Sequence, residues 1–275
     1  MVVRFHPKIW IAGGAAVLVV GAAVVAAIAL HGPPPPPRCS VPRIDGSGKA
    51  YSFDPEQTQD ASIIAAVGYR LGLPDHAVSI ALAAALGETQ LRNLDHGDLD
   101  SRGLFQQRPS QGWGTPAQVM DPDHATAAFY QHLVKVPGWS SMAVTDAAQR
   151  VQHSATPTVY ALWESRARSL AQAFTGEVPA GLACELRFFE GPPPRPETLG
   201  QIARLQFGSN VLGDNLSTNV GWRVATWTVG HAYRYHIESV TFDGHMWTRR
   251  SGRWQRVSAA RPVVEVRQCF VRSCS

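Results

Sequence analysis

The sequence predicts an α+β protein: an N-terminal transmembrane helix, a mainly helical domain and a small C-terminal α+β module. Three observations predict it. An uncharged apolar run lies near the N-terminus, helical periodicity fills the stretch between two proline-rich segments, and strand-like alternation follows the second of them.

The first element is the apolar run. Arg4 and Lys8 precede uncharged sequence from Ile9 to Leu30, rich in Ala, Val, Ile and Gly. As a helix it covers about 33 Å at roughly 1.5 Å per residue, enough to cross a hydrocarbon core. A secretory signal has a shorter apolar stretch, although Ala27-Ile28-Ala29 offers a weak cleavage site. The basic residues ahead of the run favour a cytoplasmic N-terminus and place the bulk of the chain outside. The expectation is a single-pass plasma-membrane protein with residues 1–31 as cytoplasmic tip and anchor. No second segment qualifies, which excludes a multi-span transporter. Pro33 to Pro37, within a linker at 32–38, forms a polyproline II spacer that lifts the following residues off the bilayer.

Residues 39–186 read as helical. From Asp60 to Leu71, Ile63, Ile64, Val67 and Leu71 share a stripe, and Gly72 ends it. Pro74 opens a second helix with Asp75 in its first turn. Its run from Val78 to Leu86 is apolar nearly all round, the pattern of a central buried helix. Asp121-Pro122-Asp123 starts a third helix through Ala127, Phe129 and Leu133, and Thr145–Gln152 and Thr158–Phe174 supply two more. A second linker, residues 187–198, is centred on Gly191-Pro-Pro-Pro-Arg-Pro196. Residues 199–275 then read as one amphipathic helix, Val220 to Ile237, with Trp222, Ala225, Val229 and Ala232 inward. Two strands follow at Glu238–Trp247 and Arg261–Val271, the second alternating through Val264, Val266 and Cys269.

Charge and cysteine usage narrow the function. Charged residues are 17% of the chain with a net charge of +4 and no long basic run, which argues against nucleic-acid binding. Cys39, Cys184, Cys269 and Cys274 all lie beyond the apolar run, in an oxidising compartment, so disulfides are expected. Four cysteines allow three connectivities. Cys39–Cys184 is favoured because it brackets the helical domain, leaving Cys269–Cys274. No Cys-x-x-Cys pair supports a metal site, and nothing calls for a cofactor.

The stretch from Leu86 to Gln106 carries the chemistry. A buried helix delivers Glu88 at its C-terminal end, where the apolar character stops. Partial desolvation and the negative end of the helix dipole both favour the neutral acid, the form a general acid needs. Nearby, Asp95, Asp98 and Asp100 form an acidic loop whose spacing lacks the calcium-loop pattern; it suits turns and ion pairs, with a second carboxylate for an inverting hydrolysis as the alternative. His231 and His236, five residues apart, do not share a helix face and read as solvated or structural.

Glu88-Thr89 followed by Gly103-Leu104-Phe105-Gln106, together with Gln107-Arg-Pro-Ser-Gln-Gly-Trp-Gly-Thr115, resembles the signature of the lysozyme-like lytic transglycosylases, in the form found in actinobacterial membrane-anchored proteins. The resemblance covers about Cys39 to Leu186. It implies a lysozyme-like fold for the helical domain and peptidoglycan glycan strands as partner. It also implies that Glu88 protonates the MurNAc–GlcNAc oxygen and then takes the C6 hydroxyl proton to close a 1,6-anhydro ring, so one carboxylate suffices. Gly103 and Gln106 would line the groove, and Trp113 would stack on a sugar or hold the loop. The family's Ala-Tyr-Asn motif is replaced by Arg150-Val-Gln-His-Ser154, in which Gln152 stands in for Asn and no Tyr is present. The rival expectation is a wall-binding scaffold that keeps the fold without turnover. Gly221–Trp227 and Phe242–Trp247 vaguely resemble a D-Ala-D-Ala-peptidase-like domain, but the final strand lacks the histidine its zinc set needs, which points to a structural or binding role.

Overall fold

The computed structural model describes residues 35–154, 156, 158–186, 196–258 and 260–269. The expected anchor at 1–31 lies outside them, and among the described residues no helix is long and apolar enough to cross a membrane. From Pro37 onward the chain forms one compact unit. Helices and two antiparallel sheets make it a mixed α+β structure.

A strand pair, β1 (Arg38–Pro42) and β2 (Ala50–Phe53), leads into α1 (Pro55–Arg70) and α2 (Asp75–Thr89). Short α3 (Pro116–Val119), α4 (Pro122–Leu133), α5 (Val144–Gln152) and α6 (Glu164–Phe174) follow, then β3 (Ala183–Glu185). The rest of the chain adds α7 (Pro196–Phe207), α8 (Thr218–Gly230), β4 (Ile237–Phe242), β5 (His245–Thr248), β6 (Trp254–Arg256) and β7 (Glu265–Gln268).

The first sheet was not foreseen from the sequence, which shows only helical periodicity in this region. Its order is β2-β1-β3, and the register sets Cys39 directly opposite Cys184. That pairing brings their Cα atoms to 3.9 Å, and the expected Cys39–Cys184 disulfide is formed. It spans a separation of 145 residues, a loop for which chain entropy is worth roughly 4–5 kcal/mol in the ideal case. Cys269 is also disulfide-bonded, and Cys274, its expected partner, lies outside the described residues.

Helix α1 starts earlier than its apolar stripe. Asp54 accepts from the Gln57 N–H while the Gln57 side chain accepts from the Asp54 N–H, a capping box that fixes the start at Pro55. Asp60 is therefore inside the helix and buried, and burial, reinforced by the charges of Glu56 and Asp54, pushes its carboxyl well up. Leu71, expected inward, is the exposed cap residue. Helix α2 is buried from Ala77 to Leu86, as its pattern requires. The expected helix 158–174 is broken: Val159–Leu162 is a 3-10 turn, and α6 begins only at Glu164.

After the second linker the expected single helix ends at Gly230, and Ile237 belongs to β4. The expected strand Glu238–Trp247 is a hairpin. Asp243 and Gly244 both take positive φ, 47° and 70°, and fold β4 onto β5. Helix α7 was missed. The sheet order is β6-β5-β4-β7.

Residues 199–268 share a hydrophobic core with the helices that precede them. Phe207 of α7 lies 5.8 Å from Tyr69 of α1 and 5.5 Å from Trp227 of α8. Trp227 donates to Gln206 at 2.6 Å, and Gln206 donates to Asp123 of α4 at 3.2 Å. Burial raises the Asp123 carboxyl to about 6, against the lowering effect of Gln206. His231, just past α8, is buried against α1: its Nδ1 lies 3.1 Å from Ser62 Oγ and 3.0 Å from the Trp227 carbonyl. Ser62 Oγ donates to the Gln59 carbonyl, so Nδ1 carries the hydrogen and Nε2 is left bare.

Protonating that enclosed Nε2 would bury a charge, and burial lowers the His231 pKa from 6.5 to about 4. Between those values the unfolded chain takes a proton that the folded chain refuses. His231 therefore removes stability as pH falls through this window and no further below it, by up to about 3 kcal/mol. Asp60 and Asp123 act in the opposite sense, so the comparison of interest is with a variant. Chemical denaturation of wild type and His231→Gln across pH 7 to 4 should show wild type losing stability relative to the variant; parallel curves would contradict the placement of His231.

Candidate active site

Helix α2 ends where Glu88 sits, because Gln90 and Leu91 both turn left-handed at φ 55° and 61°. For residues with a Cβ such conformations cost roughly 1–2 kcal/mol each. The surroundings hold them: the Leu91 N–H donates to Ala85 at 3.2 Å, Leu91 is buried, and the Gln57 amide donates to the Gln90 carbonyl at 2.8 Å. Arg92 completes the brace by pairing with Asp54 and Glu56 at the start of α1. A half-buried carboxylate thus stands at the end of a rigid helix.

Thr89 links that helix end to the Gly103–Gln106 turn. Its hydroxyl lies 2.9 Å from the Leu104 carbonyl and 3.1 Å from that of Ala85, and it accepts from the Arg92 N–H at 3.2 Å. Leu104 and Phe105 are buried, with Phe105 stacked on Phe129 at 4.8 Å. Gly103 has φ +77°, and its N–H donates to Leu94 at 2.7 Å. A Cβ there would stand 2.0 Å from the Val119 carbonyl oxygen. Gln152, at the end of α5, donates to the Phe105 carbonyl at 2.9 Å. Glu88, the Gly103–Gln106 turn and Gln152 are therefore gathered in one place.

Other expected residues take different positions. The Gln106 amide is turned back on its own loop, 3.2 Å from the His96 carbonyl and 3.3 Å from that of Gly103. Trp113 is half-buried and stacks on His132 of α4 at 4.0 Å, so it holds its loop against that helix. Asp100 accepts from Arg108, at 2.9 Å, and from Ser110, and Asp95 pairs with His96 at 2.8 Å. These partners hold both carboxyls below the usual range, chiefly Arg108 for Asp100 and His96 for Asp95. Among the described residues no cluster of His, Cys, Asp and Glu is arranged to hold a metal ion.

One residue escaped the sequence reading. It comes from the 3-10 turn Val159–Leu162: Tyr160 Oη donates to Glu88 Oε1 at 2.5 Å. Tyr160 is buried, and that burial, then the hydrogen bond and charge of Glu88, push its phenol far above the usual range, so it remains an O–H donor. The ring fits because residue 87 is glycine, whose Cβ would lie 2.6 Å from Tyr160 Cδ1. That glycine beside Glu88, inside an otherwise bulkier helix, was the available sign that a ring packs there.

No protein-family model and no curated protein matches the chain. The site stands on its own geometry.

Gly103→Ala places a methyl group against a backbone carbonyl in a left-handed turn. It should lower the unfolding free energy by roughly 1–3 kcal/mol, read as a lower thermal midpoint. An unchanged midpoint would show that the turn is not clamped as described.

Proposed function

We propose that this chain cleaves the MurNAc–GlcNAc bond of peptidoglycan glycan strands by lytic transglycosylation. In this reading it is a lysozyme-like protein, and residues 1–31 tether it to the outer face of the plasma membrane. The observation that carries the reading is the 2.5 Å hydrogen bond from Tyr160 to Glu88. It fixes one carboxylate oxygen and leaves the other for proton transfer.

The chemistry needs one carboxylate acting twice. Glu88 in its acid form gives its proton to the glycosidic oxygen as the bond from MurNAc C1 to that oxygen breaks. The electron pair leaves with the oxygen, and positive charge develops at C1. The carboxylate now beside the sugar accepts the proton of the C6 hydroxyl, and O6 bonds to C1. Glu88 is restored, no water is consumed, and the product is a 1,6-anhydro sugar. A donor held on Oε1 stabilises the carboxylate stage and keeps the group aimed through both steps. The engagement of Asp95 and Asp100 with His96 and Arg108 favours this single-carboxylate route over one in which a second carboxylate activates water.

Two substitutions test it. Glu88→Gln is nearly isosteric and should keep the fold while turnover on purified sacculi falls by at least about 10²–10⁴-fold. Mass spectrometry of the released material should find 1,6-anhydro ends with wild type only. Tyr160→Phe keeps the ring against Gly87 and drops the donor, so turnover should fall by about 10–100-fold with the thermal midpoint nearly unchanged. Comparable anhydro product from Glu88→Gln sinks the assignment, and free reducing ends from wild type would mean hydrolysis.

A further inference from the structure

A row of alternating cations and rings starts one turn beyond the phenol that holds Glu88. The Trp163 N–H donates to the Tyr160 carbonyl at 3.1 Å. The Arg166 guanidinium lies 5.0 Å from the Trp163 ring centre and 5.3 Å from that of Tyr51. Arg43 lies 4.6 Å from the same Tyr51 ring. Tyr51 is anchored in place, its hydroxyl donating to Ser165 at 2.9 Å. Strand β2 thereby joins the first turn of α6, and Asp54 at the end of this strand segment pairs with Arg92, just after Glu88.

The two guanidiniums each lie over an aromatic ring, yet neither has an acidic partner at ion-pair distance among the described residues. The nearby carboxylates make their hydrogen bonds and ion pairs with other groups: Asp45, which feels the charge of Arg43 without pairing with it, accepts from the Ser47 N–H at 3.0 Å, and Glu164 pairs with Arg168 at 2.8 Å. Arg43 Nε is buried without a hydrogen-bond partner, and Arg166 is exposed. A ring-stacked guanidinium still has its in-plane N–H groups to offer, in the fork that matches a carboxylate. If the row served only to dock β2 on α6, the tyrosine–serine bond would do so without two unpaired cations.

We propose that the row Arg43–Tyr51–Arg166–Trp163 is a carboxylate-binding flank of the Glu88 site, taking the acidic peptide stems carried by the glycan strand. The inference rests on the glycan-cleaving reading above for its substrate. It adds that strands bearing stems are preferred over bare glycan, the guanidiniums reading stem carboxylates while Glu88 meets the sugar.

The test uses the full chain in detergent micelles and two probes: glycan strands with intact stems, and the same strands stripped of stems by an amidase. Binding is followed by intrinsic tryptophan fluorescence. Wild type should bind stem-bearing strands about tenfold more tightly than bare ones, the scale of a charge-assisted pair. Arg43→Gln/Arg166→Gln should bind both alike, at the wild-type affinity for bare strands. Arg166→Gln alone, an exposed change that leaves folding untouched, should lose part of the preference. Equal wild-type binding to the two probes overturns the inference, as does a preference that survives in the double variant. Release of 1,6-anhydro product is scored separately. Stem preference without product leaves the flank standing and removes the reaction, whereas product without stem preference does the reverse.

Discussion

Helix α2 is buried on every side from Ala77 to Leu86, where Ser79 is the one polar residue, and a helix with no polar face has to be enclosed on all sides. The rest of the structure follows from meeting that requirement. Helices α1, α5 and α6 and the 3-10 turn at Val159–Leu162 pack around it. Its many alanines let these neighbours come close, and Gly87 lets the Tyr160 ring come closer still. Burial that complete makes the helix rigid, so the residue at its end is held to a fixed position. Glu88 is that residue, and its placement is a by-product of the way the core is built.

Three hydrogen bonds turn this rigidity into a site. Thr89 to Leu104 and Tyr160 to Glu88 join the helix end to the Gly103–Gln106 turn and to the 3-10 turn, and Gln152 to Phe105 joins the Gly103–Gln106 turn to α5. Two of the three end on backbone carbonyls of adjacent residues in the same turn, so the Gly103–Gln106 turn is fastened from both sides. The left-handed Gln90 and Leu91 store strain at this junction, offset by burial of Leu91 and by the Gln57 and Arg92 braces. The site is thus preorganised by tertiary contacts rather than by its own loop.

The C-terminal residues contribute to the same core. Tyr69, Phe207 and Trp227 meet at one apolar junction, beside the polar chain from Trp227 through Gln206 to Asp123 and the Ser62–His231 contact. These contacts cover the side of α1 that carries Ser62 and Tyr69. Removing the cover would expose that side, so residues 199–268 contribute to the rigidity of the helix that carries Glu88.

Local pattern was enough to read α2, α4 and α5, the body of α8 but not its end, the bracketing of residues 39–184 by a disulfide, and the position of Glu88 at a helix end. These depend on periodicity, caps and spacing, which are properties of neighbouring residues. The missing elements depend on partners distant in sequence. Sheet β2-β1-β3 is made of short strands whose pairing, not their alternation, defines them. The start of α1 was set by a capping box ahead of the apolar stripe, and the break before α6 is a 3-10 turn whose Tyr160 is buried. Local pattern sufficed to put a carboxylate at the end of a buried helix. Tertiary structure alone decided which donor would meet it, because Tyr160 lies 72 residues further along and only packing against Gly87 brings it there.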